Sequence, residues 1–167
     1  METIYFKGAP CHTYGTVPAV GEKAPCFNLV NMALKEISCL DFRGKRVVLN
    51  VFPSLDTPVC AASVRRFNQE AAKLDNTAVI CVSMDLPFAA SRFCTAEGIK
   101  NLEVASAFRS PLFAQKYGLQ IVDGPLAGLL ARAVIILNGE GMVEYVDLVS
   151  EITDEPDYKS AIDFMKK

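Results

Sequence analysis

The sequence predicts a three-layer α/β domain, and three observations predict it. Val47–Phe52, Thr77–Met84 and Ala133–Leu137 are largely apolar runs that read as strands covered on both faces. Stretches with helical spacing of apolar residues lie in the gaps between them. The last run is followed by Asn138-Gly139-Glu140-Gly141, a strong turn signal that joins it to Met142–Val149 as a hairpin.

Each element has its own local reason. Residues 3–8 and 11–17 alternate around Gly8-Ala9-Pro10 and predict a short amino-terminal hairpin. Ala24–Val30 and Glu36–Asp41 read as strand-like pieces joined near Asn31. Val47–Phe52 is stopped by Pro53. Val64, Phe67, Ala71 and Leu74 then step by 3, 4 and 3 residues, one face of an amphipathic helix. Thr77–Met84 closes at Asp85-Leu86-Pro87. Phe88–Glu97 and Ser110–Tyr117 are shorter helices, each with a proline near its start and Gly98 or Gly118 just past its end. Pro156–Met165 is a final helix whose two trailing lysines suit the negative pole of its dipole. The order is hairpin, βαβαβα, a second hairpin and a last helix, with no internal repeat or linker. That order predicts one domain over residues 1–167: a thioredoxin-like α/β/α fold with an added amino-terminal β-hairpin.

Composition excludes several classes of function. The 167 residues are 51% hydrophobic and 22% charged, outside the disordered range. Seventeen basic against nineteen acidic residues leave −2, so no basic field awaits nucleic acid or an anionic membrane. No apolar run approaches the ~20 residues that span a bilayer, and METIYFKGAPCHTYG lacks the pattern of a signal peptide. A cytoplasmic, reducing location is therefore expected, with most cysteines as free thiols. Six cysteines stand at positions 11, 26, 39, 60, 81 and 94, no two closer than 13 residues. The absence of C-x-x-C removes the commonest zinc knuckle and the closely spaced dithiol. With one histidine, His12, expected to face solvent on the hairpin, no metal site is predicted.

The stretch Pro53-Ser54-Leu55-Asp56-Thr57-Pro58-Val59-Cys60 leaves a buried strand and enters a helix, where open α/β sheets bind ligands. Pro58 suits the first helical position, which makes Thr57 the N-cap and Cys60 the third helical residue. Unpaired N–H groups and the positive end of the dipole favour a reactive thiolate there. A cysteine so placed can equally pack as a small apolar residue. Position alone leaves both readings open.

The pattern Pro53-x-x-x-Thr57-x-x-Cys60 resembles the peroxiredoxin active-site motif. F-P-S-L-D-T-P-V-C, with D-L-P-F at 85–88 and G-L-L-A-R at 128–132, resembles the thiol peroxidase branch of that family over essentially the whole chain. The resemblance implies that Cys60 attacks the peroxide O–O bond and becomes a sulfenic acid. It implies that Thr57 hydrogen-bonds thiolate and peroxide, that Pro53 shields the site, and that Arg132 favours the thiolate and stabilises charge on the oxygens. Taken alone, an arginine before A-V-I-I-L could as well serve a salt bridge at a strand end. By the same resemblance Cys94 is the resolving cysteine, closing an intrachain Cys60–Cys94 disulfide. Disulfide geometry needs Cα atoms within about 7 Å, so two cysteines in separate helices imply local unwinding during turnover. Cys81, mid-strand, is expected to be a buried structural thiol. Cys11, Cys26 and Cys39 lie outside the motif and have no assigned role; relatives commonly carry aspartate at the place of Cys26. On a surface, these three would be open to side reactions such as glutathionylation.

The implied activity is reduction of hydrogen peroxide and alkyl hydroperoxides, without cofactor or metal, with thioredoxin as reductant and protection against oxidative stress as the role. A homodimer through the face around the active-site helices is also implied. Phe52, Leu55, Phe88 and Phe93 read either as a hydrophobic mouth for alkyl substrates or as ordinary core and rim packing. Two other functions compete. A general thiol–disulfide oxidoreductase would leave Thr57 and Arg132 without purpose, and a redox sensor built on a Cys60–Cys94 switch need only switch once per signal, where a peroxidase sustains turnover when reductant is supplied; the two are not exclusive.

Overall fold

In the computed structural model, which describes residues 1–167, the chain opens with β1 (Thr3–Phe6) and β2 (Ala9–His12), antiparallel with Phe6 opposite Ala9. The turn is the pair Lys7-Gly8, with φ of 53° and 80°, the left-handed pair whose twist matches a two-residue hairpin. This corrects the expected turn at Gly8-Ala9-Pro10: Pro10 lies inside β2 opposite Tyr5. Both strands of a two-stranded ribbon are edges, so the missing N–H of Pro10 is tolerated.

β3 (Asn28–Asn31) and β4 (Glu36–Ser38) form the next hairpin, followed by one 3-10 turn at Cys39–Phe42. Then come β5 (Arg46–Val51), α1 (Pro58–Ala71), β6 (Thr77–Ser83), α2 (Pro87–Glu97), β7 (Glu103–Ser106) and α3 (Pro111–Lys116). β8 (Ala133–Leu137), β9 (Val143–Leu148) and α4 (Tyr158–Met165) complete the chain. Seven strands make one sheet in the order β4-β3-β7-β6-β5-β8-β9. β5, β6 and β7 run parallel, while β3 and β8 flank them antiparallel. β7 has no counterpart in the sequence reading, because four residues (EVAS) make no recognisable run. Its pairing with β6 and β3 creates it. Leu74, placed on the first helix by spacing, lies beyond the end of α1 and packs against the same core from the following turn.

The sheet's alternation separates two cores. Val47, Leu49 and Val51 face a layer made of α3 and the amino-terminal segments, including Ile4, Phe27, Phe113 and Tyr117. Val48 and Cys81 face α1, α2 and α4, where Cys60, Val64, Phe67, Cys94 and Ile162 lie. The expected α/β/α layering is present. One glycine is required by a close approach: at Gly118, with φ of 65°, a Cβ would overlap the Thr16 backbone.

Most cysteines are free, as expected, and one pair is bonded. Cys26 and Cys39 are disulfide-bonded, with Cα atoms 5.3 Å apart. The hairpin register puts Asn28 opposite Ser38, and the Cys39 amide donates to the Phe27 carbonyl at 3.1 Å. Antiparallel pairing thus meets across a gap that sequence spacing does not reveal. Cys11, Cys60, Cys81 and Cys94 are free and buried.

Candidate active site

The site is built where β5 ends. The chain leaves the sheet at Phe52, whose amide still donates to Val82, and turns at the buried Pro53. Asp85, at the corresponding end of β6, holds that turn. Its carboxylate accepts from Ser54 Oγ at 2.8 Å, from the Leu55 amide at 2.7 Å and from Ser83 Oγ at 2.7 Å. Asp85 belongs to the D-L-P-F string, but sequence reasoning gave it no role. A carboxylate just past the end of a neighbouring parallel strand is the signal that could have suggested one.

Thr57 is the N-cap of α1, and Pro58 its first residue, as the local sequence predicts. The Thr57 hydroxyl accepts from the Cys60 amide at 3.3 Å and donates to the Ser54 carbonyl at 3.1 Å. It is placed on the amide of Cys60 and not on its sulfur. Ser63 fixes the same turn from within the helix: its hydroxyl donates to the Cys60 carbonyl at 2.8 Å and accepts from Asn50 at 3.1 Å.

Cys60 is fully buried, and so is its partner Arg132, at 2% exposure. The register of β8 explains their meeting. Ala133 pairs with Val51, so Arg132 stands beside the exit of β5 and over the first turn of α1. Its Nη2 donates to Cys60 Sγ at 3.3 Å, and its Nε donates to the Ile152 carbonyl at 2.9 Å. Nη1 is buried with no partner. The guanidinium is thus held against the sulfur inside the protein, and a buried N–H without an acceptor is costly unless something fills the place.

Cys94 lies in α2, 6% exposed, in one apolar cluster with Phe52, Leu55, Cys60, Val64 and Cys81. Burial pushes its thiol up to about 11, so it is a neutral thiol here. Cys81 is pushed to about 12, also by burial, against a smaller opposing effect of its hydrogen bond from Asn50. All three sulfurs are reduced in this arrangement.

Tyr158, at the start of α4, was missed by sequence reasoning, and no local pattern marks it. Its ring packs edge-on against Phe67 at 5.8 Å, and its buried hydroxyl has no hydrogen-bond partner. Burial pushes its phenol up to about 12, with Glu155 adding to the rise, Arg132 opposing it and Cys60 adding again.

The apolar candidates divide. Phe52 and Leu55 are core, Phe93 packs half-buried on the same cluster, and Phe88 is 69% exposed. His12 does not join the site. Its Nδ1 pairs with the Asp123 carboxylate at 2.6 Å, and that hydrogen bond holds the Asp123 carboxyl below its ordinary range. No group of three or more His, Cys, Asp or Glu side chains is placed to hold a metal ion, and no helix is long and apolar enough to cross a membrane.

A family model described as Redoxin matches residues 19–162. The chain is 52% identical to a thiol peroxidase of Corynebacterium glutamicum over 162 residues, 97% of this chain and 98% of that one. It is equally 52% identical to a thiol peroxidase of Mycobacterium tuberculosis, over 97% of each chain. Among solved structures, a peroxiredoxin-like protein from Aquifex aeolicus superposes with a TM-score of 0.94 at 43% identity, covering 98% of this chain and 95% of that one.

Proposed function

The chain belongs to the Redoxin family and is a thiol peroxidase, and from that premise we propose a two-cysteine cycle run by Cys60 and Cys94. The observation that carries it is the Arg132 guanidinium, with one nitrogen on Cys60 Sγ and its neighbour buried and unpartnered. Nη2 stabilises the attacking thiolate. Nη1 is free to donate to a hydroperoxide oxygen held beside that sulfur, where charge develops as the O–O bond breaks. In the first step the Cys60 thiolate forms an S–O bond and the O–O bond breaks. The leaving alkoxide or hydroxide takes a proton, giving an alcohol or water, and Cys60 becomes a sulfenic acid.

The other site residues have roles in that step. The Thr57 hydroxyl donates to Ser54 and accepts from Cys60, leaving one lone pair to accept from the O–H of the hydroperoxide. Pro53, buried and without an N–H, shields the sulfur from water. In the second step the Cys94 sulfur attacks the sulfenic sulfur, water leaves, and a Cys60–Cys94 disulfide forms. Cys94 sits inside α2 and Cys60 inside the first turn of α1, so both turns must open for the sulfurs to bond. A thioredoxin-type dithiol then returns both to thiols.

Hydrogen peroxide and alkyl hydroperoxides are both substrates in this reading, and protection from oxidative damage is its purpose. The work belongs in a reducing, cytoplasmic setting, since the cycle begins from thiols. Leu86, Phe88, Phe108 and Leu112 are 49%, 69%, 40% and 61% exposed where the chain follows β6 and β7. That apolar edge supports a homodimer formed around the active-site helices.

The test is one equivalent of cumene hydroperoxide added to reduced protein, followed by thiol counting and peptide mapping. A Cys60–Cys94 bridge with two thiols lost is the expected result. A bridge between other cysteines would remove Cys94 from the cycle.

A further inference from the structure

We propose that Cys26 and Cys39 form a second dithiol–disulfide centre, which exchanges with a small carboxylate-bearing thiol seated in the cavity beside it. The bonded pair lines a cavity of about 370 Å³, within the size range of small-molecule sites. Lys23, Arg43 and Lys45 line the same cavity, against a single carboxylate, Glu140. The Lys23 ammonium donates to the Glu140 backbone carbonyl. Arg43 and Lys45 are exposed and make no ion pair. Asp41, the nearest acid on the 3-10 turn, accepts from the Ser38 amide at 2.8 Å. The cavity therefore offers uncommitted positive charge next to a disulfide, a combination that attracts an anionic thiolate.

The two cysteines differ in exposure. Cys26 is an exposed residue and Cys39 half-buried. An incoming thiolate attacks Cys26 Sγ, the S–S bond breaks, and the electron pair leaves on Cys39, which takes a proton. The product is a mixed disulfide at Cys26. A second thiolate of the same kind attacks the outer sulfur and departs as the small-molecule disulfide, leaving two protein thiols. Two electrons come from two thiols, and the reverse sequence restores the bridge.

This centre is separate from Cys60. The cavity is bounded by Val47 at the start of β5 and Leu137 at the end of β8, whereas the Cys60 loop leaves the opposite end of β5. Cys39 packs on the sheet face carrying Val47, Leu49 and Val51, and Cys60 on the other. A packed sheet lies between them, so the second centre answers to the surrounding thiol pool and not to the peroxide step.

The experiment exposes the whole, disulfide-intact protein at low salt to glutathione, 2-mercaptoethanol or cysteamine at equal thiolate concentration. Opening of the bridge is followed by intact mass and peptide mapping. Glutathione is expected to form the Cys26 adduct about tenfold faster than the neutral thiol, with cysteamine slowest. That preference should fade in high salt and in the Arg43→Gln/Lys45→Gln variant, whose peroxidase turnover stays normal. Equal rates for the three thiols would overturn the proposal, as would a bridge that only a dithiol protein opens, or an adduct confined to Cys39.

Discussion

Arg132 is the residue on which the site turns, because its three nitrogens face three different tasks. Nε is anchored by the Ile152 carbonyl, Nη2 meets the sulfur, and Nη1 has no protein partner. A lysine offers one point charge and cannot hold the anchor and the sulfur together. Arg132→Met is expected to slow the first oxidation of Cys60 by about a hundredfold or more, measured by stopped-flow with hydrogen peroxide, with Arg132→Lys recovering only part. An unchanged rate in Arg132→Met would remove the guanidinium from the step. Thr57 has a structural duty that can be separated from its chemical one. Thr57→Val should cost about 1 kcal/mol as a lost N-cap, read from urea melts, and slow oxidation further. Thr57→Ser should restore both, since its hydroxyl can reach the same amide.

At the scale of elements, the amino-terminal hairpin supports the arginine from a distance. The Glu151 carboxylate accepts from the Lys7 and Gly8 amides at 3.0 Å each, and from Thr153. The neighbouring Ile152 amide donates to Tyr5, while its carbonyl holds Arg132. Those hydrogen bonds, led by the Gly8 amide, pull the Glu151 carboxyl from 4.5 down to about 2. A lowered pKa in the folded form means that the contribution is complete above about 4.5 and lost as pH falls towards 2. Exchange protection of the Lys7 and Gly8 amides should therefore fall across that window, and Glu151→Gln should flatten the dependence. Protection that stays constant down to pH 2 would break this link. In the proposed cycle α2 is the other element that must move. Cys94 is buried in it as a neutral thiol, so the proposed disulfide requires its surroundings to unravel. Hydrogen exchange across residues 87–97 is expected to speed up at least tenfold in the disulfide form. Unchanged protection there would mean that α2 does not open.

The whole molecule places the Cys26–Cys39 bridge and the Cys60 site on opposite faces of one sheet, and leaves exposed apolar side chains where the chain follows β6 and β7. Phe88 is the most exposed aromatic side chain among them, at 69%. Phe88→Glu would put a charge into any interface formed there, which a desolvated contact does not tolerate. Sedimentation velocity is expected to show a dimer for the parent chain and a monomer for the variant. A variant that remains dimeric would place the contact elsewhere, and a monomeric parent would end the dimer reading.

Much of the site was legible in the sequence, because it depends on rules that act over a few residues. Thr57, Pro58 and the buried strand before them place Cys60 at the third position of a helix, and the structure has that start. Gly98 closes α2 with φ of 67°, as a glycine past a helix end should. The resemblance pointed to Arg132, but only sheet register brings it to a cysteine 72 residues away. β7, the Cys26–Cys39 bridge, the Ile152 anchor and the Tyr158 hydroxyl likewise depend on pairings between distant segments. Local propensity and capping are written in adjacent residues, so the chain by itself determined its helices, the buried strands β5, β6 and β8, and the place of Cys60 at a helix start. Which strand lies beside which is decided by the packing of the whole core. That packing alone put the guanidinium on the sulfur and joined two cysteines that no spacing rule would pair.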